Sequence, residues 1–166
     1  MKITRAICPG SFDPVTVGHL DIIQRASKMF DDVIVVVMTN VNKKSSFTAE
    51  ERVEMIKAVT ADIDNVSVES YDGLLAEYSK IKKADAIVKG LRAMSDFEYE
   101  FQMALTNKKL NPDTETMFLT TKAENMYLSS SMVKQIASMG GNIDDFVPPV
   151  IHDKIVARLI EKERKI

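Results

Sequence analysis

The segment Pro9-Gly-Ser-Phe-Asp-Pro-Val-Thr-Val-Gly-His19 holds the densest set of chemically useful residues in the chain. Its glycines and prolines tighten it into a loop, and the helix that follows is expected to begin near Gly18 or His19. The first turn of a helix leaves backbone N–H groups unpaired, and its aligned peptide dipoles favour an anion there. Gly10 would let a phosphate approach the main chain, Ser11 adds a hydroxyl, and His19 adds a ring donor aimed at the same anion. Residue types alone leave a second reading open, a plain βα turn with a half-exposed histidine. Neither G-x-G-x-x-G nor G-x-x-x-x-G-K-[ST] occurs, which disfavours a dinucleotide dehydrogenase and a P-loop NTPase.

Cations recur at other points. Asn42-Lys-Lys44 offers a lysine as a point charge for a phosphate, although adjacent lysines more often form a solvated pair. Lys89-Gly-Leu-Arg92 puts two cations around a glycine that would admit backbone close to a ligand. Ser129-Ser-Ser131 is a ready helix N-cap and equally presents hydroxyls and amides to a second phosphate group. Asp96, Glu98, Tyr99 and Glu100 follow on a helix start, where carboxylates more often complement the dipole than do acid–base work. Glu98 is expected to close a capping box with Ser95. Cys8 reads as a packed small hydrophobe rather than a nucleophile, and His152 as a surface or capping residue.

These residues need elements to carry them. Ile3–Cys8, stopped by Pro9-Gly10, reads as a first strand, and Val33–Met38 as a strand buried on both faces. Val66–Ser70, Ala86–Lys89 and Thr116–Thr120 complete a set of five. Helical spacing lies between them: Leu20, Ile23, Ala26 and Phe30; then Val53 and Ile56 behind the capping box Thr48-Ala-Glu-Glu51. Phe101, Ala104 and Leu105 form a third stripe, and Met132, Ile136 and Met139 a fourth that ends at Gly140-Gly141. Pro148-Pro149 starts a last helix, about 148–164. The alternation implies a Rossmann-like α/β fold, an open parallel five-stranded sheet with helices on both faces, as one domain over 1–166. Ligands of such sheets bind at the carboxyl ends of the strands, which is where the loops above fall.

Composition sets the outer limits. The chain has 166 residues, 45% hydrophobic, with 22 Lys+Arg against 24 Asp+Glu and a net charge of −2. That length suits one domain. The near-neutral balance disfavours a dedicated nucleic-acid binder. The longest apolar run, Val33–Met38, is far short of the roughly 20 residues that span a bilayer, and the polar start is unlike a secretory signal. One cysteine excludes an internal disulfide framework and a multi-cysteine zinc site. A cytoplasmic protein without membrane or nucleic-acid partners is expected.

Thr16-x-Gly-His19 resembles the (H/T)-x-G-H signature of the nucleotidyltransferase α/β phosphodiesterase superfamily. Together with Pro9-Gly-Ser-Phe-Asp-Pro14, Phe47-Thr-x-Glu-Glu-Arg52, Gly90-Leu-Arg-Ala93, Asp96-Phe-Glu-Tyr-Glu100 and Ser129-Ser-Ser131, it resembles the bacterial phosphopantetheine adenylyltransferases. The match runs from about Lys2 to about Val147. The resemblance implies transfer of AMP from ATP to 4′-phosphopantetheine, giving dephospho-coenzyme A and pyrophosphate by direct attack of the acceptor phosphate. It implies that His19, Lys43 and Arg92 act at the reacting phosphates. Ser11 would touch both substrates, Phe12 the ATP, and Leu75, Lys43 and Lys89 the acceptor. ATP would further meet Gly90, Leu91 and Arg92, Glu100 on the adenosine side, and the loop Asn125, Met126, Tyr127, Leu128, Ser129, Ser130 and Ser131. Mg²⁺ is expected through the ATP phosphates, with no metal ligand from protein side chains, and a homo-oligomer, typically a hexamer. Two residues depart from the family pattern: Lys89 stands where arginine is usual, and Cys8 where an aromatic is common. Nucleotidyltransferases acting on nicotinamide mononucleotide or glycerol 3-phosphate would share T-x-G-H but have no reason to carry GLRA and FEYE. A non-catalytic nucleotide-binding module would have no use for the full set of cations.

Overall fold

The computed structural model describes residues 4–39 and 42–163. Ile3, read as the start of the first strand, and residue 164 lie outside them. In chain order the elements are β1 (Arg5–Gly10), α1 (Val17–Met29), β2 (Asp32–Met38), α2 (Ala49–Val59), β3 (Val66–Tyr71) and α3 (Leu75–Ile81). There follow β4 (Ala86–Leu91), α4 (Met94–Leu110), β5 (Glu115–Thr120), a 3₁₀ turn (Ala123–Asn125), α5 (Ser130–Ser138) and α6 (Pro149–Glu163). All pairings are parallel, in the order β3-β2-β1-β4-β5.

Alternation along the strands divides the interior in two. Ala6, Cys8, Val33, Val35, Val37 and Val88 face the larger core, with buried residues from α1, α2, α5 and α6. Ile7, Ile34 and Val36 face the other way, onto Tyr78 of α3 and Ala84. Both faces of β2 are thus covered, which is why its run of valines and isoleucine carries no polar alternation. α4 packs beside α3 and β5.

β1 corrects one expectation, because it runs through Pro9 and Gly10, paired with Val36 and Val37, instead of stopping before them. Its pairing with β4 covers only Ala6 and Ile7, so beyond Ile7 a missing N–H interrupts no ladder on that side. The two strands part there. This is the point where the strand order reverses, and the gap opens at the carboxyl ends of β1 and β4.

The caps decide where the helices begin. Thr48 Oγ1 accepts from Glu51 N–H at 3.1 Å and Glu51 Oε2 accepts from Thr48 N–H at 2.9 Å, the expected reciprocal box. The second expected box does not form. Ala93 is the N-cap of α4, with no side-chain cap, so Ser95 and Glu98 both lie inside the helix. Arg92 reaches forward to Asp96 at 3.4 Å and supports that first turn instead. α5 ends as read, with Gly140 at φ +79, in the left-handed region that glycine enters without strain.

A candidate phosphate-handling cleft at the strand ends

A cavity of about 520 Å³ lies over the gap between β1 and β4. Its walls come from the β1–α1 loop, the start of α1, the β2–α2 loop, the end of β4, α4 and the start of α5. The size falls within the usual range for small-molecule sites.

At the start of α1, Thr16 and His19 cap each other. Thr16 Oγ1 accepts from His19 N–H at 3.3 Å, and the His19 ring accepts from Thr16 N–H through Nδ1 at 3.0 Å. Histidine thereby takes the place that glutamate holds in the usual capping box. It also moves the helix start to Val17, one residue before the expected range. Because Nδ1 is an acceptor, the neutral ring carries its proton on Nε2, the nitrogen left to the cleft that His19 lines. The imidazole pKa is pushed down to about 4, first by loss of solvent around the ring and then by the Arg92 guanidinium. The ring is therefore neutral at pH 7. Phe12, buried and at φ 48, sets its ring edge-on to His19 at 5.0 Å, bracing it from behind.

The amide donors of this turn are nearly all spent within the protein. Val17 N–H goes to Phe146 O at 3.0 Å, and Leu20 N–H to Thr16 O at 3.0 Å. Gly18 N–H has no partner among the described residues, and Gly18 lines the cleft. A Cβ on Gly18 would come no closer than 3.5 Å to protein atoms, so the fold itself does not demand glycine there. Gly90 differs. A Cβ on it would meet Ile22 of α1 at 3.0 Å, so helix-on-strand packing itself calls for glycine at this position, which also lines the cleft.

The expected cations converge. Lys43, exposed, Lys89 and Arg92 all line the cleft. Arg92 is held in place by donation to Leu128 O at 2.9 Å and by Asp96. Lys89 Nζ lies 2.5 Å from Glu100 Oε2, so the residues assigned to the acceptor and to the adenosine side form one ion pair. The serines are unequal: Ser129 Oγ accepts from Met132 N–H at 3.1 Å as the N-cap of α5, and Ser130 Oγ donates to Pro14 O at 2.7 Å. Ser11, Ser131, Asn125 and Leu128 also line the cavity.

Several expected residues lie elsewhere. Leu75 packs on the minor core at the head of α3. Leu91 is outside the cavity lining. Met126 and Tyr127 are exposed, and Tyr127 packs edge-on to Phe146 at 6.1 Å. The His152 ring nitrogens lie 3.0 Å from an Asp144 carboxylate oxygen and 2.9 Å from one of Asp153, away from the cleft. Cys8 is buried under the cleft floor, where burial raises its thiol to about 12 and removes it as a nucleophile.

A layer of buried ionic struts was not legible as such in the sequence. Asp13, 6% exposed, accepts from Ser46 N–H at 2.9 Å and Phe47 N–H at 2.9 Å, and pairs with Lys134 of α5 at 3.0 Å. One carboxylate thus joins the β1–α1 loop, the loop that carries Lys43, and α5. Arg52, 4% exposed, donates to Ser11 O at 2.8 Å and to Thr48 O at 3.2 Å. Arg158 of α6 grips Glu51 with both terminal nitrogens, donates to Ser46 O at 3.1 Å and covers the Phe47 ring at 5.2 Å. The string Phe47-Thr-x-Glu-Glu-Arg52 is the visible trace of this layer, but its partners lie far along the chain, Arg158 being 107 positions from Glu51.

Comparison with known proteins agrees with this geometry. The Cytidylyltransferase-like family model matches residues 7–136. A phosphopantetheine adenylyltransferase of Caldanaerobacter subterraneus is 56% identical over 96% of this chain and 98% of its own length. One of Clostridium botulinum is 58% identical over 95% of this chain and 98% of its own. Among solved structures, a putative nicotinate-nucleotide adenylyltransferase of Vibrio parahaemolyticus aligns with TM-score 0.66 at 20% identity, over 98% of this chain and 94% of its own, a likeness of fold. The span matched by the family model contains the residues that line the cleft, the high-identity relatives cover nearly the whole chain, and the chain belongs to the phosphopantetheine adenylyltransferases within the cytidylyltransferase-like family.

Proposed function

We propose that the cleft transfers AMP from ATP to the phosphate of 4′-phosphopantetheine, in coenzyme A synthesis. An acceptor phosphate oxygen attacks the α-phosphorus of ATP, the new P–O bond forms, and the bond from that phosphorus to the β-phosphate bridge breaks. Pyrophosphate carries the electron pair away. The acceptor is a phosphate monoester, ionised at neutral pH, so the step needs no side-chain base. That matches a wall with cations, amides and a neutral histidine but no Ser-His-Asp set. Such transfer is largely positioning and neutralisation of oxygen charge.

The observation that carries this reading is the reciprocal Thr16–His19 cap, which presents a neutral Nε2–H beside the Gly18 N–H, an amide without a partner among the described residues, at a helix start. Both donors are preset for charge developing on an α-phosphate oxygen. Arg92 and Lys43 add positive charge over the nucleotide phosphates, and Lys89 holds the acceptor phosphate. Mg²⁺ would enter on the ATP phosphates and water. Glu100, the one carboxylate among the described residues that line the cleft, is engaged by Lys89, and the described residues gather no set of three His, Cys, Asp or Glu for a metal. The metal would neutralise phosphate charge. The reaction would run in the cytoplasm, where ATP is available, and none of the described helices is long and apolar enough to cross a membrane.

The test is pyrophosphate release from ATP or CTP with 4′-phosphopantetheine, nicotinamide mononucleotide or glycerol 3-phosphate as acceptor. Release only with ATP and 4′-phosphopantetheine is expected. Turnover with either other acceptor, or with CTP, would replace this reading with its rival.

A further inference from the structure

We propose that the Glu100 carboxylate is an internal competitor for Lys89 and so sets how tightly the acceptor end of the cleft holds a phosphate. The two groups meet at 2.5 Å between the end of β4 and α4, and both side chains are mostly buried, at 25% and 19% exposed. Glu100 Oε2 is shut off from solvent yet makes no aligned hydrogen bond, so its contact with Lys89 is one of charge alone. A carboxylate in that position occupies the cation just as a substrate anion would.

The other charges of the cleft do not relieve this contact. Arg92 is committed to Asp96 and Leu128 O, and Lys43 lies on the exposed β2–α2 loop. A phosphate arriving at Lys89 must share the ammonium with Glu100 or push the carboxylate aside. Either way the negative charge of Glu100 opposes binding, in a partly dry site where screening is weak. Lysine sharpens the competition, because an ammonium is a compact point charge. A guanidinium could hold the carboxylate on one edge and the phosphate on the other. This inference rests on reading the cleft as a phosphate-handling site and adds a specificity-determining residue to it.

Calorimetry with inorganic phosphate at fixed ionic strength tests it without any turnover. Glu100→Gln should bind phosphate about tenfold more tightly than the unaltered chain. The gain should vanish when Lys89→Met is added, and Lys89→Arg alone should also tighten binding. Glu98→Gln, an exposed charge of the same helix outside the cavity lining, should change nothing. Melting curves of each variant check that it is folded. Unchanged or weaker binding by Glu100→Gln overturns the proposal, as does a gain that survives Lys89→Met, which would mark a general field effect. Phosphate binding that ignores Glu100 sinks this inference alone. A failed adenylyl-transfer assay beside an intact cycle sinks only the assigned reaction, and no binding to any variant sinks both.

Discussion

At the scale of single residues, His19 was legible as a donor but not as a neutral one. Its tautomer follows from Thr16 N–H donating to Nδ1, a contact between residues three apart that exists only once α1 is wound. Nitrogen-detected NMR of the imidazole should show the Nε2–H tautomer with no titration near 6.5, and protonation only towards pH 4. The sign for stability follows from the same shift. The unfolded chain protonates near 6.5 and the folded one near 4, so the stabilisation is whole above pH 6.5 and falls away as pH drops towards 4. His19→Ala should lower turnover by roughly 10²–10³, since one preorganised donor is typically worth that much, and should lower the melting temperature modestly, because Thr16 N–H loses its acceptor in the cap of α1. Gly18→Ala makes a separate prediction. The protein has room for the methyl group, so the melting temperature should hold, while ATP affinity measured by calorimetry should fall because the methyl stands where a phosphate meets Gly18 N–H.

At the scale of elements, the start of α2 is legible because its cap is local, whereas the start of α4 is set by tertiary contacts. Thr48 and Glu51 close their box within one turn, so the sequence pattern was enough. Ser95 and Glu98 have the same pattern, yet α4 begins at Met94, because Arg92 at the end of β4 pairs with Asp96 and is anchored on Leu128 O. Glu51 has a further role through Arg158, whose hydrogen bonds, with the cap, hold its carboxyl down at about 2 from an ordinary 4.5. The stabilisation from this depressed carboxyl is complete above pH 4.5 and is lost as pH falls towards 2. The difference in melting temperature between the unaltered chain and Glu51→Gln should therefore be largest at neutral pH and shrink below 4.5. Arg52→Met removes a buried charged donor from Ser11 O, a loss of about 1.5–3 kcal/mol that denaturant unfolding should read. It should also reduce turnover, because Ser11 lines the cleft.

At the scale of the whole molecule, the net charge of −2 conceals an uneven arrangement. Lys43, Lys89, Arg92 and the starts of α1 and α5 surround one cleft, while Glu100 is the only carboxylate among the described residues of its wall. The opposite kind of asymmetry appears on α4. Met94, Phe97, Phe101 and Leu105 form an exposed stripe at helical spacing, with Phe97 and Phe101 stacked at 5.5 Å and exposed Met117 on the edge strand β5. Such a stripe favours association between copies of the chain. Sedimentation should give a mass several times 18.6 kDa, and the double change Phe97→Asp and Phe101→Asp should lower it. A monomeric unaltered chain would remove this reading of the stripe.

The sequence by itself determined the parallel sheet, the loops at its strand ends and the family, because these rest on local periodicity and on contiguous motifs such as Thr16-x-Gly-His19 and Gly90-Leu-Arg-Ala93. Only the tertiary structure decided which motif residues face the cleft. Leu75, Met126 and Tyr127 turn away from it, whereas Tyr99 and Thr121 enter it, since facing depends on how each loop closes over the gap between β1 and β4. The same holds for charge. Asp13 and Lys134 are 121 positions apart, and their contact at 3.0 Å, like that of Lys89 with Glu100, comes from loops, strands and helices brought together by the fold, which no local pattern encodes.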